Sequence, residues 1–282
     1  MYSVIFESDT GEIYRFGKDG GSVFDMNLGE GVPVDIGTSQ GFSQIGTIVQ
    51  RRTISGRNIT VKGVVFDDIQ KQKRNMRKII NPLSKGRLIF ENKYYTRVFV
   101  ENAPSFSAIK NDGRFSMRFF APFPFFYDVN LTTSEIGSID PKFSFPINYS
   151  DPHKFGEKSS ARYNNIVNEG DISVPFSVYL RTRGTSSNIV ITNLNNFQTL
   201  KLNGVLNAGE IVNIYRDENN ILRAELNSNG VITDIMARID ESSTLFELQR
   251  GDNLISANDD EGGASLVAKI TFSPAVVALY ED

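Results

Sequence analysis

The sequence predicts a mainly β protein of two antiparallel β-sandwich domains, the first of which carries a single α-helix. Three observations support this. Apolar residues recur at helical spacing in one good stretch, about residues 67–81. Elsewhere polar and apolar residues alternate over short runs, as half-buried strands require. Turn signals such as Asn203-Gly204 and Asn229-Gly230 cut the second half into short segments with no helix among them. A chain of 282 residues is expected to hold two domains. The proline-bearing stretch Ala121–Asp128 closes the first, giving domains over residues 1–128 and 129–282.

Tyr2–Phe6 and Glu12–Phe16 read as an opening hairpin around Ser8-Asp9-Thr10-Gly11. Glycines then punctuate Gly17–Gly46. Because glycine weakens strands, this stretch is expected to stay out of the core sheet, with Thr47–Arg52 a strand at its end. Arg57–Gly63 alternates as a strand. At the helix, Asp67 or Asp68 is expected to cap the N-terminus, since a carboxylate accepts backbone N–H bonds there. Ile69, Met76, Ile80 and Leu83 share one face, and Lys71, Lys73, Arg74, Arg77 and Lys78 are expected to point away. Asn81-Pro82 stops the helix, because proline restricts the residue before it and has no N–H. Gly86 turns the chain into a hairpin, Arg87–Phe90 and Tyr94–Val100, around Glu91-Asn92-Lys93. Phe115–Phe120 follows with Phe115, Met117 and Phe119 on one side, and Pro122 and Pro124 end the domain.

Residues 129–170 form a proline-broken junction in which Phe143, Phe145, Ile147 and Tyr149 alternate as part of a strand. Beyond it, strands are expected at Ile172–Arg181, Asn188–Asn193, Thr199–Asn203, Glu210–Arg216, Ile221–Leu226, Leu245–Leu248 and Ser265–Phe272. In Phe246–Ile255, Gly251 allows a sharp turn and Asn253 can bond the backbone locally.

Charge is divided: residues 1–125 carry 18 Lys and Arg against 12 Asp and Glu, and the remainder 12 against 21. Halves of opposite sign fit two domains with different neighbours. The chain has no cysteine and one histidine, His153, so a disulfide is excluded and neither a transition-metal site nor a His-based triad is expected. His153 reads as a solvated loop residue. Asn258–Gly263 is acid-rich but lacks the spacing of a calcium loop. No phosphate-binding glycine loop, signal peptide or apolar run long enough to span a membrane is present. A sugar-binding sandwich presents flat aromatic platforms. Here there is no Trp, and Phe176, Tyr179, Phe197, Tyr215, Phe246 and Phe272 mostly lie at alternating strand positions that read as core.

Three pieces in order resemble the N-terminal domain of the distal tail proteins of long-tailed phages and related tail-like particles. They are the R-x-I-x-V-x-G strand with Arg57 and Gly63, the helix ending in N-P-L with K-G-R-L behind it (Asn81, Pro82, Gly86), and F-S-M-R-F-F-A-P-F-P-F-F with Phe115, Phe119 and Pro122. A fourth, F-x-L-x-x-G-x-N-x-I with Gly251 and Asn253, resembles an element of the family's C-terminal domain, a galectin-like sandwich. The resemblance implies a structural protein without catalytic residues, metal or cofactor. It implies a hexameric ring formed by the first domain at the virion tail tip, assembled in the bacterial host cytoplasm. An arm, about residues 32–52, would reach onto the neighbouring subunit. Implied partners are further copies of the chain, the tail tube protein, a tail-associated tip protein and a receptor-binding or baseplate protein. The genome would pass through the ring without sequence-specific contact, and no membrane is involved. The alternative is a carbohydrate-binding sandwich protein that recognises a surface glycan.

Overall fold

The structure is a computed structural model that describes residues 3–17, 21–107, 109, 112–136, 139–141, 156–158, 163–217, 219–261 and 265–279. His153, the expected strand through Phe143–Tyr149 and the Gly262-Gly263 turn lie outside the described residues. The chain divides into two compact units, Met1–Asn130 with Ala275–Asp282, and Leu131–Pro274. The C-terminal residues therefore fold with the first unit, where the sequence reading ran the second domain through to residue 282.

In the first unit the strands are β1 Val4–Ser8, β2 Ile13–Arg15, β3 Gly21–Met26, β4 Val34–Ser39, β5 Ile48–Ile54 and β6 Arg57–Val65. The helix α1 Ile69–Ile79 follows, then β7 Lys85–Phe90, β8 Tyr94–Phe106, β9 Arg114–Ala121 and β10 Phe126–Asp128. The main sheet runs β2-β1-β7-β8-β9-β6-β3, all antiparallel, with β10 on β8 and the terminal strand Ala275–Val276 on β10. Alternation places Val4, Phe6, Ile59, Val61, Leu88, Met117 and Phe119 in one core, where Phe6 stacks on Phe119 at 5.5 Å between ring centroids. Each such side chain contributes about 1.5–3 kcal/mol by leaving water.

Several details depart from the sequence reading. The glycine-rich stretch does supply a core strand: β3 pairs with β6 and buries Val23 and Met26. Asp68 precedes the helix in the left-handed region (φ 40°) and its carboxylate caps nothing. Met76 and Ile80 are buried, but Leu83 lies beyond the stop and is 94% exposed. There Asn81 Oδ1 accepts from Leu83 N at 2.9 Å, and Ser84 Oγ donates to the Ile79 carbonyl. Lys73 does not point into water, whereas Arg77 is exposed as expected. Lys73 is buried, and both cations lie over the Phe106 ring, at 5.2 and 4.9 Å from its centroid.

The second unit comprises β11 Thr132–Ile136, β12 Ile139–Pro141, β13 Gly156–Lys158, β14 Tyr163–Asn168, β15 Phe176–Thr182, β16 Ser186–Asn193, β17 Gln198–Leu206, β18 Ile211–Arg216, β19 Leu222–Ser228, β20 Val231–Asp234, β21 Gly251–Asn258 and β22 Leu266–Phe272. One sheet runs β11-β22-β15-β18-β19-β20 and another β14-β21-β16-β17, with β12 and β13 paired apart. The two larger sheets form an antiparallel sandwich. Val178, Leu180, Val212, Ile214, Ala268 and Ile270 are among the buried residues of one, and Ile166, Ile189, Ile191, Leu200 and Ile255 of the other. Leu245–Leu248 makes only a bridge between Leu248 and Val174.

Gly63 and Gly86 are two places where neighbouring backbone comes close. A Cβ on Gly63 would lie 2.2 Å from the Ser22 carbonyl oxygen, and one on Gly86 2.0 Å from that of Glu7. Gly86→Ala is therefore expected to cost about 3 kcal/mol through forced separation of β7 from β1. Gly209→Ala meets nothing and is expected to cost about 1 kcal/mol through its positive φ alone. Urea unfolding of the two variants checks the difference. Deleting Ala275–Asp282 is expected to lower amide-exchange protection in β10 and at the start of β6 and to leave β15–β18 unchanged, read by hydrogen-exchange mass spectrometry.

Candidate functional site: the exposed arm and the outer sheet face

β4 and β5 pair only with each other. Every residue of β5 is exposed, and β4 is exposed or half-exposed throughout, so both faces of this ribbon meet solvent. A two-stranded ribbon has little intrinsic stability. This one is held by its register, by Arg51 on Asp35 at 2.9 Å, and by a turn in which Gly41 N donates to Gln44 Oε1. Phe42 within that turn and Ile45 just after it are fully exposed, and Val34, Ile36, Ile48, Val49 and Ile54 add further exposed apolar surface along the ribbon. The strands of this ribbon run from Val34 to Ile54, over the stretch in which the arm was expected.

The base of the arm is fixed. Ser55 N donates to the Pro33 carbonyl where the ribbon leaves and re-enters. Asn27 donates to Glu30 Oε2 and the Asn58 carbonyl and accepts from Thr60 N. Arg57 is only 3% exposed. Its Nη2 donates to the carbonyls of Glu30 (3.1 Å) and Val277 (2.7 Å), and its guanidinium lies over Phe126, 4.8 Å from the ring centroid. Nε and Nη1 have no hydrogen-bond partner among the described residues. Burial pulls the Arg57 pKa down, and the Glu30 carboxylate opposes that shift.

The motif residues do not meet in one surface patch. Arg57 and Gly63 lie on β6 opposite Ala121 and Phe115 of β9, and Phe119 lies opposite Ile59. Gly86 lies on β7, Asn81 and Pro82 at the helix stop, and Pro122 just past β9. In the second unit Gly251 has φ +83° and opens β21. Asn253 is buried; it accepts from Gln249 N at 2.8 Å and donates to the carbonyls of Ile166, Gln249 and Gly251. These residues position backbone; none of them presents a reacting group.

Two tyrosines expected in the core are elsewhere. Tyr179 has opposite parity to the buried Val178 and Leu180, and Tyr215 to Val212 and Ile214. Both line an open cavity of about 380 Å³ on the outer face of the six-stranded sheet, with Ser177, Asn213, Glu225 and Thr271. Strict parity along β15 and β18 was the signal that the sequence reading passed over.

The acidic stretch from Asn258 is occupied by hydrogen bonds. Asp259 accepts from Ser186 Oγ, Asp260 from Asn188, and Glu261 from both the amide and hydroxyl of Ser187. Ser187 thereby holds the Glu261 pKa low. Among the described residues no group of three or more acids, histidines or cysteines converges as a metal site. No described helix is long and apolar enough to cross a membrane.

Residues 169–275 match a protein-family model for the siphovirus-type tail component, C-terminal domain. The whole fold is similar to the crystal structure of the SPP1 Dit (gp 19.1) protein, described as a paradigm of the hub adsorption apparatus in phages infecting Gram-positive bacteria. The TM-score is 0.70 at 12% identity, covering 97% of this chain and 99% of that one. A chain of the phage P2 baseplate in its activated conformation with Ca is also similar, with TM-score 0.53 at 11% identity over 96% of this chain and 98% of that one. No curated protein matches the sequence. At these identities the structural likenesses speak for the fold.

Asp240 offers a pH test of the second unit. The Asn203 amide, then the Ser242 hydroxyl and amide, hold its carboxyl down to about 2. The native pKa lies below the unfolded one, so the stabilisation is complete above about pH 4 and is lost as pH falls towards 2. Asp240→Asn is expected to flatten the part of the acid-unfolding curve between those values, followed by tryptophan-free near-UV circular dichroism.

Proposed function

We propose that this chain, which belongs with the phage distal tail proteins through its siphovirus-type C-terminal domain, is the structural hub of a virion tail tip. Its first unit closes with further copies into a ring, a hexamer, that continues the tail tube. Its second unit carries the tip, receptor-binding or baseplate proteins. The observation that carries this reading is the arm: a paired ribbon exposed on both faces, apolar at its tip and pinned at its base. An arm so built binds by burying Phe42 and Ile45 on a neighbouring subunit and by offering its strand edges to it. Head-to-tail contacts of this kind generate rings when the rotation closes. The SPP1 relative's description as a hub adsorption apparatus supports the same role. The work of such a protein is shape, symmetry and interface burial; it turns over no substrate.

The test is solution mass with negative-stain imaging. A hexamer of 31.5 kDa chains would weigh about 190 kDa and show a central hole. The double variant Phe42→Ser, Ile45→Ser removes apolar surface that is exposed in the protomer, so it is expected to keep its fold and to lose the ring, weakening assembly at least about tenfold. Rings that persist unchanged in the double variant would remove the arm from the interface.

A further inference from the structure

We propose that Asn229 is a site of spontaneous deamidation whose rate is set by Asn227, and that Asn203 is held silent by Asn188 and Asp240. The sequence contains two Asn-Gly pairs, Asn203-Gly204 and Asn229-Gly230, and both are exposed to water. In such a pair the glycine backbone nitrogen attacks the asparagine Cγ, since glycine has no side chain to obstruct the approach. The glycine nitrogen loses its proton and bonds to Cγ. The Cγ–Nδ2 bond breaks, and the amide nitrogen leaves as ammonia, its third proton being the one the glycine gave up to solvent. Water then opens the resulting succinimide to aspartate or isoaspartate. Water is the sole co-reactant, and no electrons are exchanged with any other species.

A hydrogen bond from the glycine N–H opposes the first step, because it stabilises the protonated nitrogen and points it away from Cγ. At Asn229 there is one such bond. Ser228 of β19 pairs with Val231 of β20, so Asn229 and Gly230 form a two-residue hairpin loop. Their φ values of 53° and 87° are those of a type I′ turn. Gly230 N donates to Asn227 Oδ1 at 2.9 Å. The Asn229 side chain itself makes no hydrogen bond among the described residues, so its amide is free to turn and to leave.

At Asn203 both reacting nitrogens are held. The pair sits at the bulge where β16 and β17 lose register. Gly204 N donates to Asn188 Oδ1 at 3.1 Å, and Asn188 is anchored in turn by donating to Asp260 Oδ2 at 2.6 Å. Asn203 Nδ2, the leaving nitrogen, donates to Asp240 Oδ2 at 2.9 Å. Two identical dipeptides therefore differ in reactivity through their neighbours alone. Reaction at Asn229 also has a structural consequence. Isoaspartate routes the main chain through one extra carbon, which a two-residue loop cannot absorb without loosening the register of β20, the last strand of its sheet.

The test is incubation of the full chain in heavy-oxygen water at mildly alkaline pH and physiological temperature, followed by peptide mapping in a mass spectrometer. The heavy oxygen marks every succinimide that opens during incubation. Acid at position 229 is expected to accumulate ahead of acid at 203, and both at least about tenfold more slowly than in guanidinium-unfolded chain. Asn227→Ala is expected to speed reaction at Asn229 about fivefold and to leave Asn203 unchanged. Asn227→Asp, which keeps an oxygen acceptor, is expected to retain the slow rate. Asn188→Ala is expected to speed Asn203 alone. A variant that had merely unfolded would accelerate both sites, so each site is the control for the other; in that case the wild-type order and the Asn227→Asp rate still decide. Equal rates in folded and unfolded chain, Asn203 reacting first, or a folded Asn227→Ala variant no faster than wild type overturns the proposal. The chemistry belongs to one protomer, so its outcome is separable from ring formation.

Discussion

Arg57 carries a charge into a place where only 3% of the residue meets solvent, and the first unit is arranged around the consequence. A buried guanidinium must find acceptors, and it finds them in two carbonyls far apart in sequence, Glu30 and Val277. The first belongs to the approach to the arm; the second belongs to the C-terminal tail. Arg57 itself begins β6, just after the arm returns. One side chain thus ties the start and return of the ribbon to the segment at Val277. The Phe126 face beneath it and the pairing of Phe126 with Val276 close the same corner from the other side. Replacing this arginine with a short side chain would remove the donor that joins these two carbonyls.

Much of the first unit was legible because its signals are local. Helix spacing, the Asn81-Pro82 stop and the alternation of β6 and β9 each follow from a few neighbouring residues. The errors came where tertiary contact overrode a local rule. Glycine content argued against β3, yet Val23 and Met26 gain burial by pairing with β6, and that outweighs the backbone cost. Lys73 was assigned to solvent by its charge. Its methylene stem packs inward while the ammonium rests on Phe106, an option that depends on a ring from β8, which the helix sequence alone does not reveal. The return of the tail to β10 was equally out of reach, because Ala275-Val276 carries no signal of its partner.

The functional surfaces divide in the same way. An arm was expected here from family resemblance alone, whereas the exposure of apolar residues on both faces of the β4–β5 ribbon needs coordinates. The tyrosines are a different case. Val178, Leu180, Val212 and Ile214 set the inward parity of β15 and β18, and Tyr179 and Tyr215 violate it. An alternating strand has two faces, and aromatic content does not say which one a ring occupies; the neighbours' parity does.

The proposed ring also has an energetic logic that follows from how little each arm can bury. Phe42 and Ile45 together supply about 3–6 kcal/mol on losing contact with water. Bringing two free subunits together costs an estimated 4–15 kcal/mol in lost translation and rotation. A single arm contact therefore holds a pair of protomers poorly, which keeps the exposed apolar tip from driving indiscriminate pairing. Closure changes the balance: the last subunit of a ring makes two contacts for one loss of freedom. The rigid base matters for the same reason, since an arm already aligned by Asn27, Ser55 and Arg57 has less freedom left to surrender on docking. A loosely attached arm of identical sequence would bury the same surface and close the ring less well.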